Sequence, residues 1–506
     1  MGKRKGNKRA AAHGGASLRD MLREGQEAGK AGKGASRRAG VRLRSDKAEA
    51  PASLHLGGDP HRRIAVIGGG AAGLAAAIAA ARTLHAEGRF AADAVVLFEA
   101  DDRVGRPILA TGNGRCNFSN ARIDARRFRN AGFVAQALAS LEAASGHAAC
   151  AGPGAPNAVL RFFERAGLAW REEGEGRLYP ATGKASTVLD VLRAAAARLG
   201  VVEACEHRAA AVEPPRGAGG LFHIRFSDGA IQHAAAVVLA VGGKHALGLQ
   251  PNADGGRLLP GSYAIVPPRP VLGPLAVAEA APKQLDNIRV RARVTLAGFD
   301  GAKAVERGEV LFRSYGVSGI CIFNLSRFAE PGDKLLIDFL PAVEEGAREG
   351  FLVERSRRLA EGGLVDRSAD GVSNEALLRG LLLSPVARTV LKQAGLALDA
   401  PFCEEDAPAL ARALSAFPLT VEGIGDKRQC QVLRGGLDAG CFDPSTMESR
   451  MDGGLFAAGE ALDVDAPCGG CNLHWAWASG LLAGMSAAQC ACGQGVKPRE
   501  SEGADA

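Results

Sequence analysis

Apolar positions are sparse through the first 60 residues and then begin at once. Ile64-Ala65-Val66-Ile67 is a β-branched run with the length and texture of a buried strand. Gly68-Gly69-Gly70-Ala71-Ala72-Gly73 follows, and an alanine-rich stretch then predicts a helix to about His85. Ala94–Phe98 predicts a second strand, ending on Glu99. Taken alone, Ile64 to Ala81 is 18 residues without a charge, long enough to suggest a membrane span. Yet 13 of the 18 are Ala or Gly, which suits a strand, a glycine turn and a closely packed helix better.

Further along, Leu160–Gly167 and Ser186–Leu199 carry helical spacing, while Val201–Val212 and Leu221–Phe226 predict short strands. Ala234–Val241 predicts a buried strand running into Gly242-Gly243. From Tyr263 to Leu340 strand signals predominate, as in Val290–Leu296 and Lys334–Phe339, and Ala342–Leu414 is a polar, helix-forming block. A strand at Gly454–Ala458 and a last helix at Asn472–Ala488 close the pattern, and no internal repeat is visible.

Composition adjusts this picture in three places. At 506 residues the chain is too long for one core, and 47% hydrophobic with 23% charged residues excludes global disorder. The net charge of +7 is uneven: residues 1–63 hold 16 Lys and Arg against 6 Asp and Glu, the remainder 46 against 49. The basic character thus belongs to residues 1–60, expected to be a disordered tail, and the nearly neutral body makes nucleic acid an unlikely partner. Eleven cysteines in so long a chain, with no apolar signal segment after the basic start, suggest a reduced, cytoplasmic protein.

The glycine turn has a mechanism. Between a strand and a helix, with an acid ending the next strand, G-x-G-x-x-G reads as a dinucleotide site. Gly68 permits the sharp turn, Gly70 beside Ala71 lets the backbone approach a pyrophosphate, and Gly73 lets helix and strand pack closely. The helix N-terminus offers free N–H groups to phosphate, and Glu99 can accept from a ribose hydroxyl. FAD and NAD are not separated by this motif alone. After it, Arg106 and the loop Thr111-Gly112-Asn113-Gly114-Arg115-Cys116-Asn117 supply donors for a diphosphate or a flavin edge.

A second segment, far away in sequence, has the same logic. Gly459-Glu460 ends a strand; Asp463, Asp465, Cys468-Gly469-Gly470-Cys471, Asn472 and Leu473 lead into the last helix, whose N-terminus would stabilise negative charge on a reduced flavin. Cys468 and Cys471 form a C-x-x-C at a helix start, where the dipole lowers a thiol pKa. They read as a redox dithiol or, as we favour, as small residues packed by a cofactor; a zinc site with Cys490 and Cys492 has poor spacing. His474 is a candidate proton donor and more simply a structural histidine; Tyr179 and Lys184 are weak candidates for facing substrate.

These motifs, together with Arg177–Ser186, Gly316-Val317-Ser318-Gly319, Thr446–Ser449 and Gly469–Trp477, resemble a bacterial flavoprotein family called BaiN-like or aminoacetone-oxidase-like, of NAD(P)/FAD-dependent oxidoreductases. The resemblance runs from about Arg62 to Gln489. It implies an α/β protein: a Rossmann-like, two-dinucleotide-binding FAD domain with an inserted β-barrel-like domain and a small helical domain. The expected division is a tail at 1–60, FAD domain at 61–262 and 431–492, β-rich insertion at 263–341 and 415–430, helical insertion at 342–414, and a disordered end at 493–506. FAD would lie along Gly68–Gly73, with Thr111–Asn117 and Gly459–Asn472 at its flavin end. NAD(P)H is the implied electron donor, for a small organic substrate. Pro107, Val241, Arg313-Ser314, Ile320 and Cys471 depart from the usual pattern. A flavin-binding, RNA-interacting protein that uses the basic tail is the alternative.

Overall fold

The computed structural model describes residues 54–145, 157–217, 219–243, 257–365, 367–368 and 371–493. Most of the basic tail and nearly all of the expected C-terminal tail lie outside them. The chain is anchored from Leu54 onward, earlier than its composition suggests. The Leu54 carbonyl accepts from Gln232 at 3.0 Å, and the Gly57 N–H donates to Asp93 at 2.8 Å.

The first half of the body supplies four short strands to the core sheet: β1 (Ile64–Ile67), β2 (Val95–Phe98), β3 (Val202–Ala204) and β4 (Ala236–Leu239). A long insertion then contributes β5 (Ile265–Val271), β6 (Leu275–Val277), β7 (Arg289–Gly298), β8 (Gly301–Arg313), β9 (Gly316–Ser318), β10 (Lys334–Asp338), β11 (Phe417–Ile424) and β12 (Val432–Leu437), before the chain returns as β13 (Leu455–Ala457). The core sheet is parallel in the order β13-β4-β1-β2-β3, so sequence-distant strands lie side by side. Residues of β1, β2 and β4 are all buried, as expected for a sheet covered on both faces.

The helices that position the site are α1 (Ala71–Ala86), α2 (Arg106–Ala110), α3 (Ala131–Ala144), α4 (Ala185–Arg198) and α5 (Cys471–Ala491). Alanine and glycine in α1 and α5 have one physical reason. A Cβ on Gly480 would stand 2.3 Å from the Ala72 carbonyl, and one on Gly484 2.1 Å from that of Ala76. The two helices press backbone to backbone, which only small side chains allow. The uncharged stretch that spans β1 and α1 is therefore explained by close packing in the core. Among the described residues no helix is long and apolar enough to cross a membrane.

The insertion closes a six-stranded barrel in the order β6-β9-β8-β7-β10-β11. Its interior is lined by Val294, Leu296, Val310, Phe312, Leu335 and Leu419, all buried. Helices Arg348–Gly362, Ser384–Ala394 and Ala407–Ser415 bury Leu352, Leu391 and Leu410 in the same apolar cluster. An antiparallel pair, β5 with β12, joins barrel and core, pairing Ile265 with Leu437 and Val271 with Val432.

Candidate functional site

The first turn is shaped by three glycines with three different surroundings. Gly68 has φ +103°, and a Cβ there would meet the Ala240 carbonyl at 2.4 Å. A Cβ on Gly73 would lie 1.8 Å from the Gly68 carbonyl, so helix and strand touch. Gly70 faces open space, with nothing within 4 Å of an added Cβ, and α1 begins there without a side-chain cap. Free N–H groups beside an open, Cβ-free face are what an approaching phosphate requires. Glu99 ends β2 and accepts from the Gly69 N–H at 2.7 Å and the Asp101 N–H at 2.8 Å, so its carboxylate sits at the turn with lone pairs left for hydroxyl donors. Ala71 opens α1 half-buried. Arg106 instead reaches outward to Asp101 and Asp102, at 3.6 and 3.5 Å. Pro107 falls in the first turn of α2, where its missing N–H costs nothing.

The donor-rich loop hangs from this turn: the Gly105 N–H donates to the Gly69 carbonyl at 2.8 Å. Gly112, Asn113, Gly114 and Cys116 all have positive φ and coil the chain tightly. Thr111 spends its hydroxyl on the Ile108 carbonyl at 2.6 Å. Cys116 is fully buried, and burial pushes its thiol up to about 11. The Asn117 Oδ1 is buried without a partner, 2.8 Å from where a Cβ of Gly470 would stand. Tyr179 lies under the Arg115 guanidinium, 4.3 Å from its ring centre, beside the same loop; Lys184 is exposed.

The second turn meets the first. Gly459, at φ +68°, donates its N–H to Ser479 at 2.9 Å, and an added Cβ would meet Ala72 at 2.9 Å. The Glu460 carboxylate accepts from the Gly243 N–H at 3.2 Å, while Gly242, at φ +68°, faces open space. Gly469 and Gly470 have φ +121° and +92°; Asn120 donates to the Gly469 carbonyl at 2.8 Å, and a Cβ on Gly470 would lie 2.3 Å from the Ser119 carbonyl. Two side chains expected to face a cofactor, Asp463 and Asn472, and one candidate proton donor, His474, have other partners. Asp463 is buried against Arg129 at 2.7 Å and the Gly435 N–H at 3.0 Å. Asn472 clamps Ala466, accepting from its N–H and donating to its carbonyl, both at 2.9 Å. His474 is 2% exposed, pairs with the Ser119 hydroxyl at 2.9 Å, and is held down to about 4 by burial. A buried neutral histidine so held is a structural group. Leu473 sits half-buried one residue before it.

The barrel faces this turn through charge. Asp465 is buried between Arg327, at 2.6 Å, and Arg434, at 2.9 Å. Burial alone would raise its carboxyl, but the two guanidinium groups outweigh it and hold it below the ordinary range. Asn324 accepts from the Cys468 N–H at 2.9 Å, and the Cys468 thiol points to the Gln431 side chain at 3.5 Å. Burial pushes the Cys468 thiol up to about 12 and raises that of Cys471 as well. The lowering expected from the helix dipole is thus outweighed by desolvation. Among the described residues no cluster of three or more His, Cys, Asp or Glu side chains could hold a metal ion.

Residues 62–486 match the family model described as the HI0933-like protein Rossmann domain. The chain belongs to the HI0933-like family. Over 444 residues it is 33% identical to a 3-dehydro-bile acid delta(4,6)-reductase of Clostridium scindens, covering 84% of this chain and 99% of that one. Over 426 residues it is 26% identical to a ribosomal RNA dihydrouridine synthase of Escherichia coli, covering 82% and 95%. A flavocytochrome c3 fumarate reductase superposes over 85% of this chain and 78% of its own at 15% identity, with a TM-score of 0.39, too loosely to argue from. Membership of the HI0933-like family identifies the architecture as a Rossmann-type FAD-binding fold and the protein as an oxidoreductase.

Within this family fold the uncapped α1 N-terminus, the open faces at Gly70 and Gly242 and the unpartnered Asn117 oxygen fit a bound FAD. Sequence reasoning passed over the barrel-side groups Asn324, Arg327, Gln431 and Arg434. One signal was available: Arg434 interrupts the apolar, glycine-rich run of β12, and a charge there implies a buried partner.

Proposed function

We propose that this protein is an FAD-dependent, NAD(P)H-linked reductase of carbon–carbon double bonds conjugated to a carbonyl. One observation supports the reading above others: the two kinds of named relative act on different substrates, yet both names denote reduction of a double bond conjugated to a carbonyl. A 3-dehydro-bile acid delta(4,6)-reductase saturates ring double bonds conjugated to a ketone, and a dihydrouridine synthase saturates a uracil double bond conjugated to a carbonyl. FAD, when bound, supplies two-electron hydride chemistry. In our reading the α1 N-terminus and Gly70 hold its diphosphate, Glu99 its ribose, and the Thr111–Asn117 loop with Gly469 and Gly470 its flavin end. Asp465, with its two arginines, keeps the barrel against that end and limits water there. The higher identity to the bile acid reductase favours a small, fused-ring enone over a nucleobase.

The test is product analysis. Holoprotein with NADH or NADPH is offered a 3-oxo-4,6-diene steroid, a simple cyclic enone, or a uridine-containing RNA, and products are weighed by mass spectrometry. The expected result is a gain of two hydrogens per reduced double bond with the steroid. A gain with RNA alone would move the substrate class, and none with any would refute the reading.

A further inference from the structure

The turn that enters α5 has an open side, and a strand pair of the core domain presents charge to it. Gly469 and Gly470 are half-buried, so solvent reaches the turn. Strand Ser119–Asn120 pairs with strand Arg177–Pro180, which sets Asn120 directly opposite Arg177. Directly opposed residues send their side chains to the same face of a ladder. Here both meet the turn: Asn120, 6% exposed, donates to the Gly469 carbonyl at 2.8 Å, and a Cβ on Gly469 would lie 4.0 Å from the Arg177 Cγ. Arg122 joins them. Its N–H donates to the Asn120 Oδ1 at 2.7 Å, and its Cγ lies 3.1 Å from where a Cβ of Gly176 would stand. The Arg177 guanidinium is partly engaged: Nε donates to the Gly174 carbonyl at 2.8 Å and Nη2 to the Glu175 carboxylate at 2.9 Å, while Nη1 has no partner among the described residues. The exposed Arg122 guanidinium has neither a hydrogen bond nor an ion pair among them. Counter-charge is short. Glu173, opposite Arg177 on the next strand, is taken by Arg115 and by Arg171 at 3.2 Å. Glu175 alone remains, its side chain 77% exposed and its backbone at φ +66° between two glycines. So exposed a pair holds weakly.

We propose that Arg177 and Arg122 form an oxyanion-recognition element on the open side of this turn, with Glu175 as the internal anion that a ligand's carboxylate or phosphate displaces. The inference rests on the reductase reading above, which puts the reacting end of the site at Gly469 and Gly470. A guanidinium presents a planar fork of donors that matches a carboxylate or a phosphate edge to edge. The other arginines tied to this region have no such freedom: Arg327 is committed to Asp465 and Arg129 to Asp463. The oxyanion has two sources in a nicotinamide-linked reductase, a phosphate of the dinucleotide or a carboxylate of the enone substrate. Either would be gripped at its charged end, which fixes how far the rest of the molecule reaches along the turn. The pair is specificity-determining: it binds and orients, and it moves no proton and no electron.

Anion binding is read first on oxidised, FAD-loaded protein, without turnover. Benzoate, and separately inorganic phosphate, is titrated and followed by the flavin spectrum and by calorimetry. Arg177→Gln should retain FAD and weaken anion binding ~10-fold, as loss of a charge-assisted hydrogen bond implies. Arg177→Lys keeps the charge without the fork and should recover part of that loss. Arg122→Gln should weaken binding about 3-fold, and Glu175→Gln, which removes the internal anion, should tighten it about 3-fold. A merely structural hairpin contact would not give opposite signs at Arg177 and Glu175. Turnover then assigns the source: a 3-oxo-4-ene steroid carboxylic acid is compared with its methyl ester, and NADPH with NADH. A KM rise in Arg177→Gln confined to the acid assigns the pair to substrate, and a rise for a nicotinamide assigns it to the dinucleotide. If wild type reduces no enone, the reductase reading fails, and the benzoate and phosphate titrations alone decide on the arginines. No binding of either anion to wild type, or equal affinity in wild type, Arg177→Gln and Glu175→Gln, would overturn the proposal. If Arg177→Gln does not fold, unchanged affinity in both Arg122→Gln and Glu175→Gln would overturn it equally.

Discussion

Two glycine turns bring helix N-termini towards one place, and they are built in opposite ways. The turn at Gly68–Gly73 is made by local rules: each glycine answers to its own strand, its own helix or the strand beside them, and α1 carries no side-chain cap. The turn at Cys468–Asn472 is held from outside. Asn120 and Asn324 fix its backbone, Asn472 ties it back to Ala466, and Asp465 ties its approach to two arginines from the inserted region. Both helices begin without a side-chain cap, at Gly70 and at Gly470, but only the second turn has backbone groups fixed by distant side chains. A site assembled from both would be positioned through the second.

That contrast predicts which substitutions damage the fold and which damage only the ligand. The largest effect belongs to the second turn. Asp465→Ala leaves Arg327 and Arg434 buried without their anion, which should cost about 3–5 kcal/mol in urea denaturation. A cost under about 1 kcal/mol would mean the clamp is ornamental.

A comparable loss should appear as an acid limb. His474 is held down to about 4 from an ordinary value near 6.5, so the neutral ring stabilises the fold above pH 6.5. That contribution should drain away as the pH falls from 6.5 towards 4, by roughly 1.4 kcal/mol for each unit of depressed pKa. His474→Gln should flatten this limb of the stability curve, and an unchanged limb would assign it to other groups.

Within the first turn two alanines sharpen the comparison. Gly73→Ala forces a methyl group into the Gly68 carbonyl and should cost about 3 kcal/mol or more, lowering the melting temperature. Gly70→Ala meets nothing and has a φ of −77° that alanine accepts, so the melting temperature of the FAD-free protein should hold while FAD affinity falls. Equal thermal losses in both would dissolve the distinction.

The smallest effect is expected at Cys471→Ser. If the cysteines only pack, reductive titration should consume about two electrons per FAD before and after the substitution. Four electrons falling to two would make the second turn a redox partner.

The same contrast explains how far the sequence could be read. β1, the first turn and α1 were legible because strand propensity, glycine spacing and alanine content all act within about twenty residues. The strand order of the sheet places β13 beside β4 and β4 beside β1, and local pattern does not encode such pairings. The barrel was legible as strand-rich, but its closure depends on β11 returning after the helical block to meet β6 and β10. At the second turn the glycines and cysteines stood out, whereas Asp463, Asn472 and His474 gave residue types without partners. Arg129, Ala466 and Ser119 supply those partners from elsewhere in the fold: they occupy the Asp463 and Asn472 side chains expected at the cofactor, and they fit the structural reading of His474.

The most direct test of the account is anaerobic mixing of the purified holoprotein with NADPH, and separately NADH, followed by a 3-oxo-4,6-diene steroid, with flavin absorbance recorded throughout. The account predicts a yellow protein whose flavin bleaches on addition of one nicotinamide and recovers its colour on addition of the steroid, without oxygen. A flavin that neither nicotinamide bleaches, or a bleached flavin that only oxygen restores, would contradict it.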